Sequence, residues 1–371
     1  MDFTSACLDW AINRGSRCDA IAFLLDSYCR LLRAHGVNVR RCNLATDTLH
    51  PQMAGMRHVW FSERTEPGPI NPDVVVQRRQ YPVDDALIDE VFFRASSRTS
   101  PQYLVSPFHR IDQDGELHAS IKSADEEQAF PVFQDLAALG CTEYFGIALR
   151  GFTAPRQQLS IAIDNAEPLT QEKLENLRLS ARVLTLLLNT LLEHEVKKTI
   201  ARTYLGRDAG QRVCAGMIDL GNVIDVEGAL WYSDLRGFTQ LSQEISPAEL
   251  VAALNSYYGR VVGAIYAHGG DVLKYVGDAI LAIFPVQALA TPQQACAAAY
   301  AAALDAQTDE NGSGTRTADD CIALHYGLAQ YGNIGAEDRL DFTLIGKEVN
   351  VVARANDIAK KNNEPMVWTR A

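Results

Sequence analysis

Asp234 and Asp278 are the residues of this sequence best placed to do chemistry. Asp234 follows the apolar run 227–232 and Ser233, and Asp278 lies in the Gly277–Asp278 turn between the apolar runs 272–276 and 279–284. Carboxylates on rigid strand ends are hard oxygen ligands for a pair of Mg²⁺ or Mn²⁺ ions. Two such ions can activate an attacking hydroxyl and stabilise a leaving pyrophosphate. Each aspartate also has a plainer reading, Asp278 as a turn residue and Asp234 as a helix cap. The stretch Leu235-Arg236-Gly237-Phe238-Thr239-Gln240 comes next. A glycine and a helix start just past a strand leave backbone N–H groups free for phosphate, although such turns are common. Asn350 and Arg354 stand four apart on an expected helix and share a face. An amide and a guanidinium can hold a ribose oxygen and a developing phosphate charge. Unrelated polar residues on a surface helix are the alternative, and the flanking Val349, Val351 and Val352 point to a partly buried Asn350. Lys274 stands inside the apolar run 272–276, where it must face solvent or a polar ligand, or guard a sheet edge. His268 and His325 lack metal-ligand spacing and read as structural.

The elements that would position these groups are legible around them. Ser246-Pro247-Ala248-Glu249 is a capping box with proline at the first helical position. Behind it Leu250, Leu254, Tyr257, Tyr258, Val261, Val262 and Ile265 form an apolar helical stripe that Gly269-Gly270 stops. The runs 272–276 and 279–284 form a hairpin signal. Thr291-Pro292-Gln293-Gln294 caps an alanine-rich helix. A polar loop over 306–320, strands over 321–329 and 340–345, a helix over 347–360 and a strand over 366–369 complete the reading.

The first half is mixed α and β. A helix is expected over 20–32, strands over 37–44 and 58–62, a polar stretch over 63–71, a helix over 129–139, and strands over 144–150 and 158–163. That order resembles a small-ligand sensor of the GAF or PAS kind, so residues 1–165 are expected to form a GAF-like domain with an unnamed small-molecule or protein regulator. A helix starting near Pro168 and Thr170 carries Leu174, Leu177, Ala181, Leu184, Leu188 and Leu191 in steps of three and four. This heptad seam suits parallel pairing with a second copy, and a helix capping its own domain is the alternative. Residues 195–216 turn charged and mixed, so 166–212 reads as a helical dimerising linker and 213–371 as the second domain.

The 371 residues suit two domains with a connector. A formal net charge of -12 argues against nucleic acid or an anionic membrane as partner. Cys7, Cys18, Cys29, Cys42, Cys141, Cys214, Cys296 and Cys321 are scattered without a C-x-x-C pair and read as free thiols of a reducing compartment. With neither a signal peptide nor a long apolar span in view, the cytoplasm is the expected location.

The second half resembles the class III adenylate/guanylate cyclases over about residues 228–368. The matching stretches are Trp231 to Thr239, His268 to Ala279, Tyr331-Gly332-Asn333-Ile334-Gly335, and Asp341 to Arg354. The resemblance implies an α+β catalytic domain of ferredoxin-like, palm type. It implies an adenylate cyclase making cyclic AMP and pyrophosphate from ATP at the interface of a homodimer. Asp234 and Asp278 would be the metal ligands, Lys274 and Thr343 would read the base, and Leu235 to Thr239 would hold phosphate. Asn350 would position the ribose and Arg354 would stabilise the transition state. The metal residues come from one chain, and the base-reading and transition-state residues from the other. A lysine donating to an adenine ring nitrogen and a threonine accepting from its amino group favour ATP. The resemblance also implies further β structure beyond residue 369, so the domain is expected to be shortened at Ala371. Competing readings are a guanylate cyclase and an inactive nucleotide-binding or dimerisation module. A diguanylate cyclase ranks last, because Val272-Leu273 follows Gly269-Gly270-Asp271 where an acidic residue and an aromatic belong.

Overall fold

The computed structural model describes residues 2–50, 53–63, 75–94, 100–121, 130–150, 157–308 and 320–369, in two compact units, Met1–Thr199 and Ile200–Ala371. The polar stretch 63–71, beyond Glu63, and most of the loop 306–320 lie outside the described residues.

The first unit opens with α1 (Phe3–Asn13) and α2 (Ile21–Ala34), followed by β1 (Val39–His50), β2 (Met53–Phe61), β3 (Val75–Val83) and β4 (Ala86–Phe93). Then come α3 (Pro101–Leu104), α4 (Pro107–Asp114), β5 (Glu116–Ser120), α5 (Val132–Ala138), β6 (Glu143–Leu149), β7 (Gln157–Ile163) and α6 (Gln171–Leu205). The strands form one sheet in the order β3-β4-β2-β1-β7-β6-β5. Strand alternation divides it into two apolar faces. Cys42, Leu44, Trp60, Ile88, Phe145 and Ile161 pack against α2 and α6, and Tyr144 and Ala162 face α4 and α5.

The helix α6 corrects one expectation. Leu174, Leu177, Ala181, Leu184 and Leu188 of the expected pairing seam are buried in the first unit's own core, and Leu191 packs against it. The seam is used within the unit and is not free for a second copy. The charged stretch 195–216 is mostly helical, since α6 runs to Leu205 and α7 covers Arg207–Cys214.

The second unit continues with β8 (Val223–Leu235), α8 (Phe238–Glu244), α9 (Pro247–Ala267), β9 (Asp271–Val276), β10 (Ala279–Pro285), α10 (Val286–Leu289) and α11 (Pro292–Ala306). It ends with β11 (Asp320–Ala336), β12 (Arg339–Ile345), α12 (Lys347–Lys361) and β13 (Met366–Thr369). The order β11-β8-β10-β9 within an antiparallel sheet, with helices between β8 and β9 and between β10 and β11, is the split βαβ pattern of ferredoxin-like folds. β12 extends the β11 edge and β13 pairs parallel with β11. On one face Trp231, Ile280, Ala282 and Phe284 pack on Val261 and Ile265 of α9 and on the alanines of α11. On the other, Leu230, Leu273 and Leu281 meet Phe342 and Leu344 of β12 and Val352 of α12. The capping box holds: the Glu249 carboxylate accepts from the Ser246 N–H at 2.9 Å, and Ser246 Oγ accepts from the Glu249 N–H at 3.3 Å. Both structural histidines have carboxylate partners, His268 with Asp305 at 2.7 Å and His325 with Glu348 at 2.8 Å.

Candidate functional site

Strand alternation places Asp234. Trp231 and Ser233 turn toward α9, where Ser233 Oγ accepts from Trp231 Nε1 at 2.9 Å and lies 3.0 Å from the Tyr257 hydroxyl. Asp234 therefore points to the opposite face, toward α12. It is buried, and one of its oxygens accepts from the Lys360 ammonium. The other oxygen, Oδ1, is buried with no hydrogen-bond partner. Burial raises the carboxyl's pKa; Lys360 opposes the rise, and the negative charges of Asp278 and Asp357 add to it.

Asp278 is brought close by register. Ser233 pairs with Ile280 across β8 and β10, so the residues just beyond, Asp234 and Asp278, leave the same end of the sheet. Gly277, at φ +63°, gives the hairpin its left-handed turn residue. The structure thus brings the two expected metal ligands together. Among the described residues no group of three or more His, Cys, Asp or Glu side chains could hold a metal. A buried carboxylate oxygen without a partner, next to a second carboxylate, is nevertheless a donor set that fits a hard divalent cation.

The stretch after Asp234 turns sharply, with Gly237 at φ +66° leading into α8. Arg236 points away from that turn: its guanidinium donates to Asn363 Oδ1 and to the carbonyl of Glu364. Leu235 and Phe238 have no polar side-chain atoms, so backbone N–H groups and the exposed Thr239 hydroxyl are what this stretch can offer a phosphate.

Lys274 and Asp341 form an ion pair. They stand on β9 and β12, at opposite ends of the strand path. In a flat sheet those strands would lie about 19 Å apart; here β12 folds over the sheet face to pack Phe342 and Leu344 near Leu273. Thr343 is partly buried between them in sequence, paired with Gly332 of β11.

Asn350 and Arg354 sit on α12 and are both exposed, which corrects the expectation of a partly buried Asn350. Val352 takes the buried position, and Val351 is itself exposed. Their face differs from that of Lys360. At 100° per residue, Lys360 is turned about 120° from Arg354 and about 80° from Asn350, and lies about 9 Å from Arg354 along the axis. Within one chain, therefore, Arg354 is turned away from the side of the helix that reaches Asp234.

Four contributors were not singled out from the sequence. Lys360 and Asp357 follow no pattern readable without knowing where α12 crosses β8. Asp341 lies inside a quoted motif, and a charge on a strand facing a strand lysine was the available signal. Asn356, fully buried, fixes that crossing: its amide donates to the Cys321 carbonyl at 2.8 Å and the Tyr232 carbonyl at 3.3 Å.

A family model described as the adenylate and guanylate cyclase catalytic domain matches residues 226–366. The chain is 31% identical over 177 residues to an uncharacterized protein of Mycobacterium tuberculosis, covering 47% of this chain and 32% of that protein. It is 32% identical over 156 residues to an adenylate cyclase of Anabaena cylindrica, covering 39% of this chain and 30% of that enzyme. It thus spans about a third of the length of these curated relatives. Among solved structures, a bacterial light-regulated adenylyl cyclase matches 61% of this chain and 77% of that one, at 19% identity and a TM-score of 0.42. Residues 226–366, within the second unit, are a catalytic domain of the adenylate and guanylate cyclase type.

Proposed function

We propose that this protein is an adenylate cyclase, forming 3′,5′-cyclic AMP and pyrophosphate from ATP at a site shared between two copies of the chain. The observation that carries the reading is the Asp234 carboxylate, pinned by Lys360 at one oxygen and unpartnered at the other, beside Asp278. Asp234 and Asp278 would hold two divalent ions, Mg²⁺ or Mn²⁺, which when bound neutralise phosphate charge and lower the pKa of the ribose 3′-hydroxyl. The backbone of Leu235–Thr239 cradles the phosphates from the strand end. Asn350 orients the ribose so that its 3′ oxygen lies in line with the α-phosphorus, and Arg354 binds the charge that builds up there.

The geometry of α12 supports a shared site, because Asp234 of one chain cannot be served by Arg354 of the same chain if that helix face is turned away. Two copies related by a two-fold axis would supply both halves twice. Lys274 and Thr343 support ATP. Asp341 takes one of the three ammonium donors of Lys274 and leaves the others for the adenine ring.

We further read the first unit as a GAF-like sensor that regulates the cyclase. Its antiparallel sheet with helices on both faces supports this. Among the described residues no helix is long and apolar enough to cross a membrane, and the acidic composition is in keeping with a cytosolic enzyme. The test is incubation with Mn²⁺ or Mg²⁺ and either ATP or GTP. Cyclic AMP is expected; cyclic GMP alone overturns the base assignment, and tight ATP binding without turnover identifies a nucleotide-binding module.

A further inference from the structure

The sheet of the first unit carries two cations that have no ion-pair partner among the described residues. Arg41 on β1 and Arg57 on β2 lie four positions apart in the ladder, in the pairs Arg41–Phe61 and Ala45–Arg57, with Asn43–Val59 between them. Cys42, Leu44, Met56 and Trp60 point to the α2 and α6 side, so Arg41, Asn43 and Arg57 share the opposite face.

Both arginines are partly buried, and neither has an ion pair among the described residues. Arg57 Nε is buried without a hydrogen-bond partner. The surrounding carboxylates do not fill the gap. Asp89 gives both oxygens to Arg78, at 2.6 and 3.0 Å, and Asp135 acts on Arg41 only from beyond ion-pair distance. Each guanidinium is instead set over a ring, Arg41 at 5.7 Å from the centroid of Phe61 and Arg57 at 5.1 Å from that of Phe93. Burial, together with the charge of Arg41, pushes the Arg57 pKa down to about 10. Between the two stands Asn43, 3% exposed, with its carbonyl oxygen buried and unpartnered.

Two like charges held together and partly desolvated are unfavourable unless an anion joins them. Forked guanidinium donors suit a planar or tetrahedral oxyanion. An unpartnered buried acceptor next to them suits an N–H or O–H on the same ligand.

We propose that this face of the first unit binds a small organic oxyanion, a carboxylate or phosphate ester carrying a hydrogen-bond donor, with Arg41 and Arg57 gripping the anion and Asn43 accepting from the donor. The site is independent of the cyclase assignment, since all its residues belong to the first unit.

Hydrogen exchange of the β1 and β2 amides in the full chain tests it, with inorganic phosphate and malate, a hydroxy acid, as separate probes against chloride at matched ionic strength. Exchange of these strands is expected to slow severalfold with at least one probe, and the response to be lost in both Arg41→Met and Arg57→Met. A response to phosphate alone assigns a phosphate ester, and one to malate alone a carboxylate. No slowing with either probe in the unmodified protein overturns the proposal, as does an undiminished response in both variants.

Discussion

Lys360, in the last turn of α12, donates to one oxygen of Asp234 and leaves the other buried without a partner. The lysine offsets part of the carboxylate's desolvation, and the free oxygen keeps the position open to a cation. Asp278 and Asp357 add negative charge to the same neighbourhood.

Replacing Lys360 by methionine should expose that balance. The variant leaves a buried carboxylate unpaired, at a cost of about 1–3 kcal/mol. A divalent ion should then stabilise it more than it stabilises the unmodified protein. Melting curves with Mg²⁺ and with a chelator check this; equal metal-dependent shifts in the two proteins would contradict it.

Asp234→Asn should retain the fold, because the amide oxygen can still accept from Lys360. Its cyclase activity should fall by more than about 100-fold, the upper end of what outer-shell changes at metal sites cost. A chelator should abolish turnover of the unmodified enzyme. Cyclic nucleotide assays across a Mn²⁺ titration decide, and near-normal activity of the variant removes Asp234 from the metal site.

The Lys274–Asp341 pair should govern base choice. Both side chains are more than a third exposed, so the pair is worth no more than about 1 kcal/mol. Asp341→Asn should therefore raise KM for ATP by up to about fivefold, with little change in kcat. Lys274→Glu should lower the ratio of ATP to GTP turnover. An unchanged ratio would separate Lys274 from the base.

Glu348 gives a pH signature away from the chemistry. Its hydrogen bond to His325 holds its pKa below the ordinary glutamate value. A carboxylate with a lowered folded pKa stabilises the protein above its unfolded value of about 4.3 and loses that contribution as pH falls through the folded value. Glu348→Gln should melt lower than the unmodified protein at neutral pH, and the gap should close in acid. A gap that stays undiminished however far the pH falls below the ordinary glutamate value would contradict this.

The second unit was legible where local signals and tertiary roles coincide. Ser246 and Glu249 cap α9 as read, and Gly277–Asp278 turns the β9–β10 hairpin. The first unit was harder. Residues 75–83 and 86–93 were not read as strands, because Arg78, Arg79 and Pro82 mimic a loop and Asp89 and Glu90 interrupt an apolar run. The fold explains both. β3 is an edge strand, where proline and charge are tolerated, and Asp89 and Glu90 are partnered by Arg78 and His58 across strands. The leucine steps of α6 were legible as a stripe, but a stripe does not say what covers it; here the partner is the chain's own sheet. Lys360 and Asn356 were invisible for a related reason: their roles exist only where α12 crosses β8 and β11.

The central claim is that Asp234 and Arg354 of one chain serve different sites. Asp234→Ala and Arg354→Ala should each be inactive alone. Co-refolded in equal amounts, they should recover about a quarter of the unmodified activity, since half the dimers are mixed and each mixed dimer holds one intact site. No recovery, in mixtures shown to contain the mixed dimer, would place both residues in one chain's own site and contradict the account.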